Sequence, residues 1–222
     1  MTSAHWPPGI PQHLELPRTT LCANLAIAAR HCPDRTAIHY YGGRLDYATL
    51  LRQVDALAGY LQQVAGVARG DCVVLYLQNT PQFVIALYAA LRADAVVVPV
   101  NTMNLREEVA HIVRDSGARV AIFGQELHAQ VESLLGEELS HAVVATYSDY
   151  IDPDTDLPLP DIVSAAPAAI AAACAWSQAI ATNAQPRAAQ AGAEHLALMP
   201  YTSGTTGAPK GCLHTHRSVM HT

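Results

Sequence analysis

Apolar residues recur in two alternating patterns over residues 72–146. Short apolar runs, each long enough for one buried strand, occupy residues 72–77, 95–100, 119–123 and 141–146. Stretches of roughly ten to fifteen residues with helical spacing separate these runs. This alternation is typical of right-handed βαβ units. It predicts an α/β fold with a layered, mostly parallel sheet flanked by helices.

The segment ahead of this alternation predicts a helix, a hairpin and a second helix. The first helix spans residues 21–31, and strands at 37–41 and 44–47 flank a turn at Gly42-Gly43. Asp46 is placed to cap the second helix. That helix carries one apolar stripe, which we expect to be buried: Leu50, Val54, Leu57, Leu61 and Val64.

Start and stop signals mark the later helices. Thr80 precedes Pro81, which is a capping residue followed by a residue suited to the first helical position. Asn104 and Glu107 have the spacing of a capping box for a helix that ends near Gly117. A further helix should follow the strand at 119–123 and run to about residue 136.

We expect four parts along the chain. Residues 1–20 form a proline-rich extended arm, and residues 21–146 form the α/β subdomain. Residues 147–195 form a connecting segment that holds an alanine-rich helix around Trp176 and a low-complexity linker. Residues 196–222 form a strand at 196–201, a glycine-rich loop and the start of another helix.

Composition narrows the class of protein. Half of the 222 residues are apolar, 14% are charged and the mean hydropathy is +0.13, which suits a sheet covered on both faces. The net charge of −6, with no basic stripe, argues against a nucleic-acid partner. No apolar run is long enough for a transmembrane segment, and no signal peptide is expected. Five cysteines without CxxC spacing indicate reduced thiols and a cytoplasmic protein.

Residues 202–211, TSGTTGAPKG, have the composition of a phosphate-binding loop. Successive backbone N–H groups in a glycine-rich turn form an anion-binding nest, the hydroxyls add donors or magnesium ligands, and Lys210 adds a positive charge. The segment is not a Walker loop, because Pro209 and Gly211 stand where that motif needs glycine and Ser or Thr. Taken alone, the composition leaves a plain flexible loop as the alternative.

Cys212, His214 and His216 alternate directly after this segment and would share one face of a strand. A metal site and a Cys–His nucleophilic pair are the alternatives to a plain strand. We favour the plain strand, because no fourth ligand is evident and no residue is placed to orient the base. The remaining histidines are scattered, and we expect them to be solvated.

The glycine-rich loop, with Tyr201 before it and CLHTH at 212–216 after it, resembles the signature of the adenylate-forming superfamily. This superfamily includes acyl-CoA synthetases, luciferases and the adenylation domains of peptide synthetases. The resemblance covers nearly the whole chain and includes WPPGIP at 6–11, NLA at 24–26, PDRTAI at 33–38, GDCVVL at 70–75, AVVVPVN at 95–101, RDSGAR at 114–119 and EHLALMP at 194–200. It is nearest to bacterial long-chain fatty-acid–CoA ligases.

The resemblance implies the first part of the large N-terminal domain of these enzymes and an ATP-dependent ligase reaction. A carboxylic acid, expected to be a fatty acid, would form an acyl-adenylate with ATP, and coenzyme A (CoA) would then displace AMP. The residues carried over as ATP-binding are Thr202, Ser203, Gly204, Thr205, Thr206, Gly207 and Lys210, with Thr206 also as a ligand of Mg²⁺. ATP, Mg²⁺ and CoA are therefore the expected cofactor and co-substrates.

Two positions depart from the family's pattern. Asp94 and Thr102 stand where glycine and proline are common; we expect both to be surface changes, although Asp94 makes its turn harder to close. The family's later segments, which line the adenine pocket, bind the ribose and carry the catalytic lysine, have no counterpart in these 222 residues. We therefore expect an N-terminal fragment that is inactive by itself and holds no catalytic residue. The alternatives are a non-catalytic nucleotide- or acyl-binding remnant and an adenylation domain for another carboxylic acid, and the oligomeric state stays open.

Overall fold

The computed structural model describes residue 7 and residues 17–202 and 208–220. Helix α1 spans Leu21–His31, strands β1 and β2 span Thr36–Tyr40 and Gly43–Asp46, and helix α2 spans Tyr47–Gln63. The two strands form the predicted antiparallel hairpin, in which Tyr40 pairs with Gly43. The turn therefore lies at Tyr41 and Gly42, both with positive φ (43° and 81°), one residue earlier than predicted. Two successive residues with positive φ give the backbone twist that a two-residue hairpin needs.

The apolar stripe of α2 is buried as predicted, except at its last position. The Asp46 carboxylate accepts a hydrogen bond from the Thr49 N–H at 2.6 Å, so the predicted cap is confirmed. Leu50, Val54, Leu57 and Leu61 are all buried. Val64 is 49% exposed, so its prediction was wrong; it follows the last helical residue, Gln63, as the C-cap.

The predicted alternation of strands and helices is confirmed. The elements in chain order are β3 (Cys72–Tyr76), α3 (Pro81–Arg92), β4 (Val96–Pro99), α4 (Arg106–Ser116), β5 (Val120–Gly124), α5 (His128–Val131) and β6 (His141–Ala145). The helix predicted to reach residue 136 is broken, since single 3₁₀ turns at Gln125–Leu127 and Glu132–Leu134 flank the one turn of α5.

The start of α4 differs from its prediction by one residue. Leu105 is the N-cap residue, and its backbone N–H donates to the Glu108 carboxylate at 2.9 Å. The bond expected from the spacing of Asn104 and Glu107 is therefore made by the next acidic residue. Gly117 ends the helix with a φ of 65°, as its glycine predicts.

The last third of the chain contains short elements. They are a 3₁₀ turn at Tyr147–Tyr150, α6 (Asp161–Ser164), β7 (Cys174–Ala175), α7 (Trp176–Ala181), β8 (Leu196–Leu198), β9 (Tyr201–Thr202), β10 (Lys210–Gly211), β11 (His214–Thr215) and α8 (His216–Val219). The strand predicted over residues 196–201 is divided between β8 and β9. The division falls at Pro200, which has no backbone N–H to continue the ladder.

Seven strands form one sheet in the order β11-β8-β4-β3-β5-β6-β7. All neighbours are parallel except β11 and β8 at one edge. One face of the sheet packs against α1, α2 and α3, and the other packs against α4 and α5. No helix within the described ranges combines the length and apolar character needed to cross a membrane.

Candidate phosphate-binding site

The glycine-rich segment is the connection of a short antiparallel hairpin. Thr202 at the end of β9 pairs with Lys210 at the start of β10, and Tyr201 pairs with Gly211. Thr202 and Lys210 are both exposed, so their side chains are accessible at the base of the connection. The other predicted phosphate-binding residues lie outside the described residues: Ser203, Gly204, Thr205, Thr206 and Gly207.

The hairpin lies beside the carboxyl end of β4. The Met199 N–H donates to the Val97 carbonyl at 2.8 Å, and the chain then leaves the sheet at Pro200, whose carbonyl accepts from the Cys212 N–H at 2.8 Å. A cavity of about 300 Å³ lies next to the hairpin, where Tyr201 and Pro209 face the residues that follow β4. The carboxyl ends of parallel strands are the usual place for ligands in open α/β sheets.

Gly211 has a packing role that the sequence reading did not assign. A Cβ atom at this position would lie 2.9 Å from Met199 Cγ and 3.2 Å from the Tyr201 ring. A larger residue would therefore have to displace the Met199 side chain, and glycine lets β10 approach these side chains without that shift. This glycine of the motif therefore shapes the base of the hairpin.

Helix α4 contacts both strands of the hairpin. The Tyr201 hydroxyl donates to the Asp115 carboxylate at 2.6 Å, and His111 Nε2 lies 2.9 Å from the Pro209 carbonyl oxygen, to which it can only donate. Burial, followed by the Asp115 carboxylate, raises the pKa of Tyr201, so its hydroxyl remains a donor at neutral pH. His111 is half-buried, not solvated as predicted. The available signal was the four-residue spacing of His111 and Asp115, which places them on one helix face.

Asp94 is a buried residue, so its interpretation as a surface change was wrong. It is 8% exposed and has a φ of 61°, a conformation in which glycine is favoured. Its carboxylate accepts hydrogen bonds from the Gln190 and Ala191 N–H groups at 2.8 and 2.9 Å. These bonds hold the linker just ahead of β8 in place. The linker can be recognised as the hydrogen-bond partner of Asp94 only once the fold is known. Thr102 is half-buried, and its hydroxyl lies 3.3 Å from the Gln78 side-chain oxygen.

The alternating Cys212, His214 and His216 do not share a strand. Only His214 and Thr215 are in β11, and α8 begins at His216. His216 is buried, and its Nδ1 accepts from the Leu21 N–H at 3.3 Å, so it joins α8 to the start of α1. Burial, reinforced by His195, lowers the pKa of His216. Within the described ranges, no group of three His, Cys, Asp or Glu side chains is placed to hold a metal ion.

All five cysteines lie in the described part of the chain and carry free thiols. Burial raises the pKa of Cys22 to about 12, so this thiol is protonated at neutral pH. A protonated, half-buried thiol that packs against the core acts as a small apolar side chain and not as a nucleophile. The structure thus gives Cys22 a packing role beneath α3, where its Sγ lies 3.6 Å from the Tyr88 carbonyl oxygen.

Comparison with known proteins identifies the family of this chain. The sequence profile described as AMP-binding enzyme matches residues 25–222. A long-chain-fatty-acid–CoA ligase of Bacillus subtilis is 31% identical over 232 residues, and a feruloyl-CoA synthase of an Amycolatopsis species is 32% identical over 191 residues. These alignments cover 98% and 86% of this chain but only 40% and 32% of the relatives, so the chain spans well under half of their length.

Comparison with a solved structure points to the same family. The anthranilate CoA ligase AuaEII in complex with anthranoyl-AMP is 25% identical, with a TM-score of 0.76 over 92% of this chain and 36% of that protein. The predicted fold class is therefore confirmed as that of the N-terminal domain of adenylate-forming enzymes. Since the profile also covers most of the chain, this protein belongs to the AMP-binding enzyme family, the adenylate-forming group whose signature loop its sequence resembles.

Proposed function

We propose that this chain is the N-terminal part of an ATP-dependent carboxylic acid–CoA ligase and that the acid is a fatty acid. In the proposed reaction a carboxylate oxygen attacks the α-phosphorus of ATP and pyrophosphate leaves, which gives an acyl-adenylate. The thiol of CoA then attacks the acyl carbon, and AMP leaves with the bonding electron pair. The observation that carries the proposal is the hairpin, whose paired ends hold Thr202 and Lys210 exposed at the base of a glycine-rich connection.

The proposed role of the hairpin is to bind the β- and γ-phosphates. The backbone N–H groups and hydroxyls of Ser203, Gly204, Thr205, Thr206 and Gly207 would donate to phosphate oxygens. Lys210 would add a positive charge as negative charge develops on the departing pyrophosphate, and fixed charges of this kind stabilise a transition state most. The Thr202–Lys210 pairing supports this role, because it brings both ends of the connection to one place.

Mg²⁺ fits the chemistry of this segment. Thr206 offers a hydroxyl oxygen, a hard ligand of the type that Mg²⁺ takes, and the exposed Thr202 offers a second hydroxyl close by in sequence. Mg²⁺ usually keeps several waters and binds through substrate phosphates, so one protein hydroxyl is a sufficient anchor. When bound, the ion would neutralise phosphate charge.

The fatty acid is proposed from the relative that aligns with nearly all of the chain, the Bacillus subtilis ligase. Two of the proteins compared above are named for other acids, the feruloyl-CoA synthase and the anthranilate CoA ligase. The acid class is therefore the part of the proposal that most needs a direct test.

The test is acid-dependent exchange of pyrophosphate into ATP, measured on the protein as its own cells make it. With Mg²⁺ and a long-chain fatty acid we expect exchange, and CoA should then release AMP. Exchange with aromatic acids alone would replace the fatty acid by that class. Failure to exchange with any acid in a panel of fatty, aromatic and amino acids would contradict the ligase proposal.

A further inference from the structure

We propose that His111 and Asp115 of α4 are positioning residues that hold the two strands of the phosphate-binding hairpin in register. We call the two contacts, Asp115 with Tyr201 and His111 with Pro209, the α4 clasp. The inference rests on the proposed function, since it deepens the account of how the same hairpin binds polyphosphate. It adds two residues that lie about 90 positions from the loop in sequence and outside the signature motif.

The base of the hairpin is joined to the sheet, where the Cys212 N–H donates to the Pro200 carbonyl and the Met199 N–H to the Val97 carbonyl, each at 2.8 Å. Beyond this base the hairpin is short. Its described ladder contains two residue pairs, Thr202 with Lys210 and Tyr201 with Gly211. A two-stranded ribbon of this kind is marginal in water without packing against another element. Contacts with a neighbouring element therefore add to what holds the two described strands in place.

The first contact of the α4 clasp fixes the incoming strand. The Tyr201 hydroxyl donates to Asp115 Oδ2 at 2.6 Å, a short bond to a carboxyl oxygen. Hydrogen bonds with one charged partner are about twice as strong as neutral ones. Tyr201 immediately precedes Thr202, so this bond fixes the residue next to the first phosphate-binding residue.

The second contact fixes the returning strand. His111 Nε2 donates to the Pro209 carbonyl at 2.9 Å, immediately before Lys210. The His111 ring also meets the Tyr201 ring edge-on, with centroids 6.4 Å apart. The two contacts of the clasp thus act on opposite strands, directly beside Thr202 and Lys210.

The helix that carries the clasp is a rigid support. Val109, Ile112 and Val113 on the opposite face of α4 are buried against the central strands, each no more than 1% exposed. Asp115 and His111 project from the accessible side, where they add little to the core. Because α4 is fixed against the sheet, the clasp holds the hairpin in a fixed position relative to the sheet. Loss of the clasp should therefore weaken phosphate binding more than it lowers the stability of the fold.

Two pairs of variants test the clasp, with calorimetric titration of Mg²⁺-ATP into the protein as its cells make it. Asp115→Ala removes the acceptor, whereas Asp115→Asn keeps one; His111→Phe keeps the ring, whereas His111→Gln keeps a side-chain donor. We expect Asp115→Ala and His111→Phe to weaken binding about five- to tenfold, and the conservative variants to stay within about twofold of the unaltered chain. Tyr201→Phe should weaken binding by the same factor as Asp115→Ala, and the double variant should show no further loss.

Arg114→Gln is the matched control, because it breaks an ion pair with Glu138 (2.7 Å) on the same helix without touching the hairpin. In the protein as its cells make it, the clasp variants should raise the KM for ATP and leave kcat and the KM for the acid within about twofold. Equal binding by all variants, or an equal loss in Arg114→Gln, would overturn the clasp while leaving the proposed function intact. If the unaltered protein, as its cells make it, does not bind ATP, both the clasp and the proposed function are overturned, and this is seen before any variant is made.

Discussion

The central sheet and the β9–β10 hairpin, which we propose to bind phosphate, are stabilised by different means. In β3, the side chains of Val73, Val74, Leu75 and Tyr76 are fully buried, and parallel neighbours pair with the strand on both sides. The described strands of the hairpin contact helix α4, and Thr202 and Lys210 are exposed. Burial of apolar area holds the sheet, whereas a few directional polar contacts and one tightly packed glycine hold the hairpin.

This difference follows from the structural support that the sheet provides and from the ligand that we propose for the hairpin. Apolar burial is non-directional and scales with area, so it suits a support that only needs to stay folded. A polyphosphate ligand needs accessible N–H groups, hydroxyls and a cation, which cannot be buried before the ligand arrives without a large desolvation cost. The comparison therefore predicts that substitutions in the sheet act on stability and that substitutions in the hairpin act on binding.

The largest effect is expected in the sheet. Leu75→Ala removes a fully buried side chain from the central strand, and the cavity left behind should lower the free energy of unfolding by about 2–5 kcal/mol. Leu213→Ala is the matched control, since the same change at a side chain that is 63% exposed should alter stability by less than about 0.5 kcal/mol. Urea unfolding followed by circular dichroism measures both, and equal losses would remove the distinction between the regions.

The next effect is expected in the hairpin. Lys210→Ala and Thr206→Ala should each lower the rate of acid activation by an amount equivalent to about 2–4 kcal/mol, by analogy with single donors to a developing negative charge. The midpoint of urea unfolding should stay unchanged, because Lys210 is exposed. Near-normal turnover in the protein as its cells make it would exclude these residues from the mechanism.

Asp94 gives a second test of the comparison between sheet and hairpin. It is a polar residue that is buried just before β4, at the amino-terminal ends of the parallel strands. Asp94→Ala should cost about 1–3 kcal/mol of stability, since two linker N–H groups lose their acceptor. Asp94→Gly should cost about 1 kcal/mol less than the alanine variant, because glycine adopts the positive φ of 61° without strain. An alanine variant as stable as the glycine variant would show that the backbone conformation carries no cost here.

The smallest effect is a dependence of stability on pH. Folding lowers the pKa of the buried His216 below its ordinary value of 6.5, so the folded state binds fewer protons than the unfolded state. The stabilisation should be fully present above about pH 6.5 and decline as the pH falls below it, because a protonated ring cannot accept the bond from the Leu21 N–H. His216→Asn keeps an acceptor that does not titrate and should flatten this slope in unfolding measurements between pH 5 and 7.5. An unchanged slope would assign the dependence to other groups.

Sequence reasoning predicted the sheet better than the site. The strands and helices over residues 72–146 follow from apolar periodicity and from local signals such as Thr80-Pro81 and Gly117, which act over one turn. The errors in this region are shifts of one residue, at the Tyr41-Gly42 turn and at Leu105, because neighbouring residues can make the same turn or cap.

The contacts that position the hairpin could not be predicted in the same way. Asp94 bonds to Gln190, and Asp115 bonds to Tyr201, across 96 and 86 residues of sequence. Nothing local distinguishes such an aspartate from a solvated one. Gly211 likewise looks like a loop glycine until the Met199 side chain is placed against it. These residues depend on tertiary packing, which residue spacing does not encode.

The most direct test compares one substitution from each region by two measurements made on the same samples. Mg²⁺-ATP binding by calorimetry and urea unfolding should be recorded on the protein as its cells make it, unaltered and with Lys210→Ala or Leu75→Ala. Binding is measured at urea concentrations at which Leu75→Ala is still folded. We predict that Lys210→Ala loses most of the ATP affinity with an unchanged unfolding midpoint, whereas Leu75→Ala keeps the affinity and unfolds at a much lower urea concentration. ATP affinity that is the same in Lys210→Ala as in the unaltered chain would contradict the central claim that this hairpin binds the phosphates.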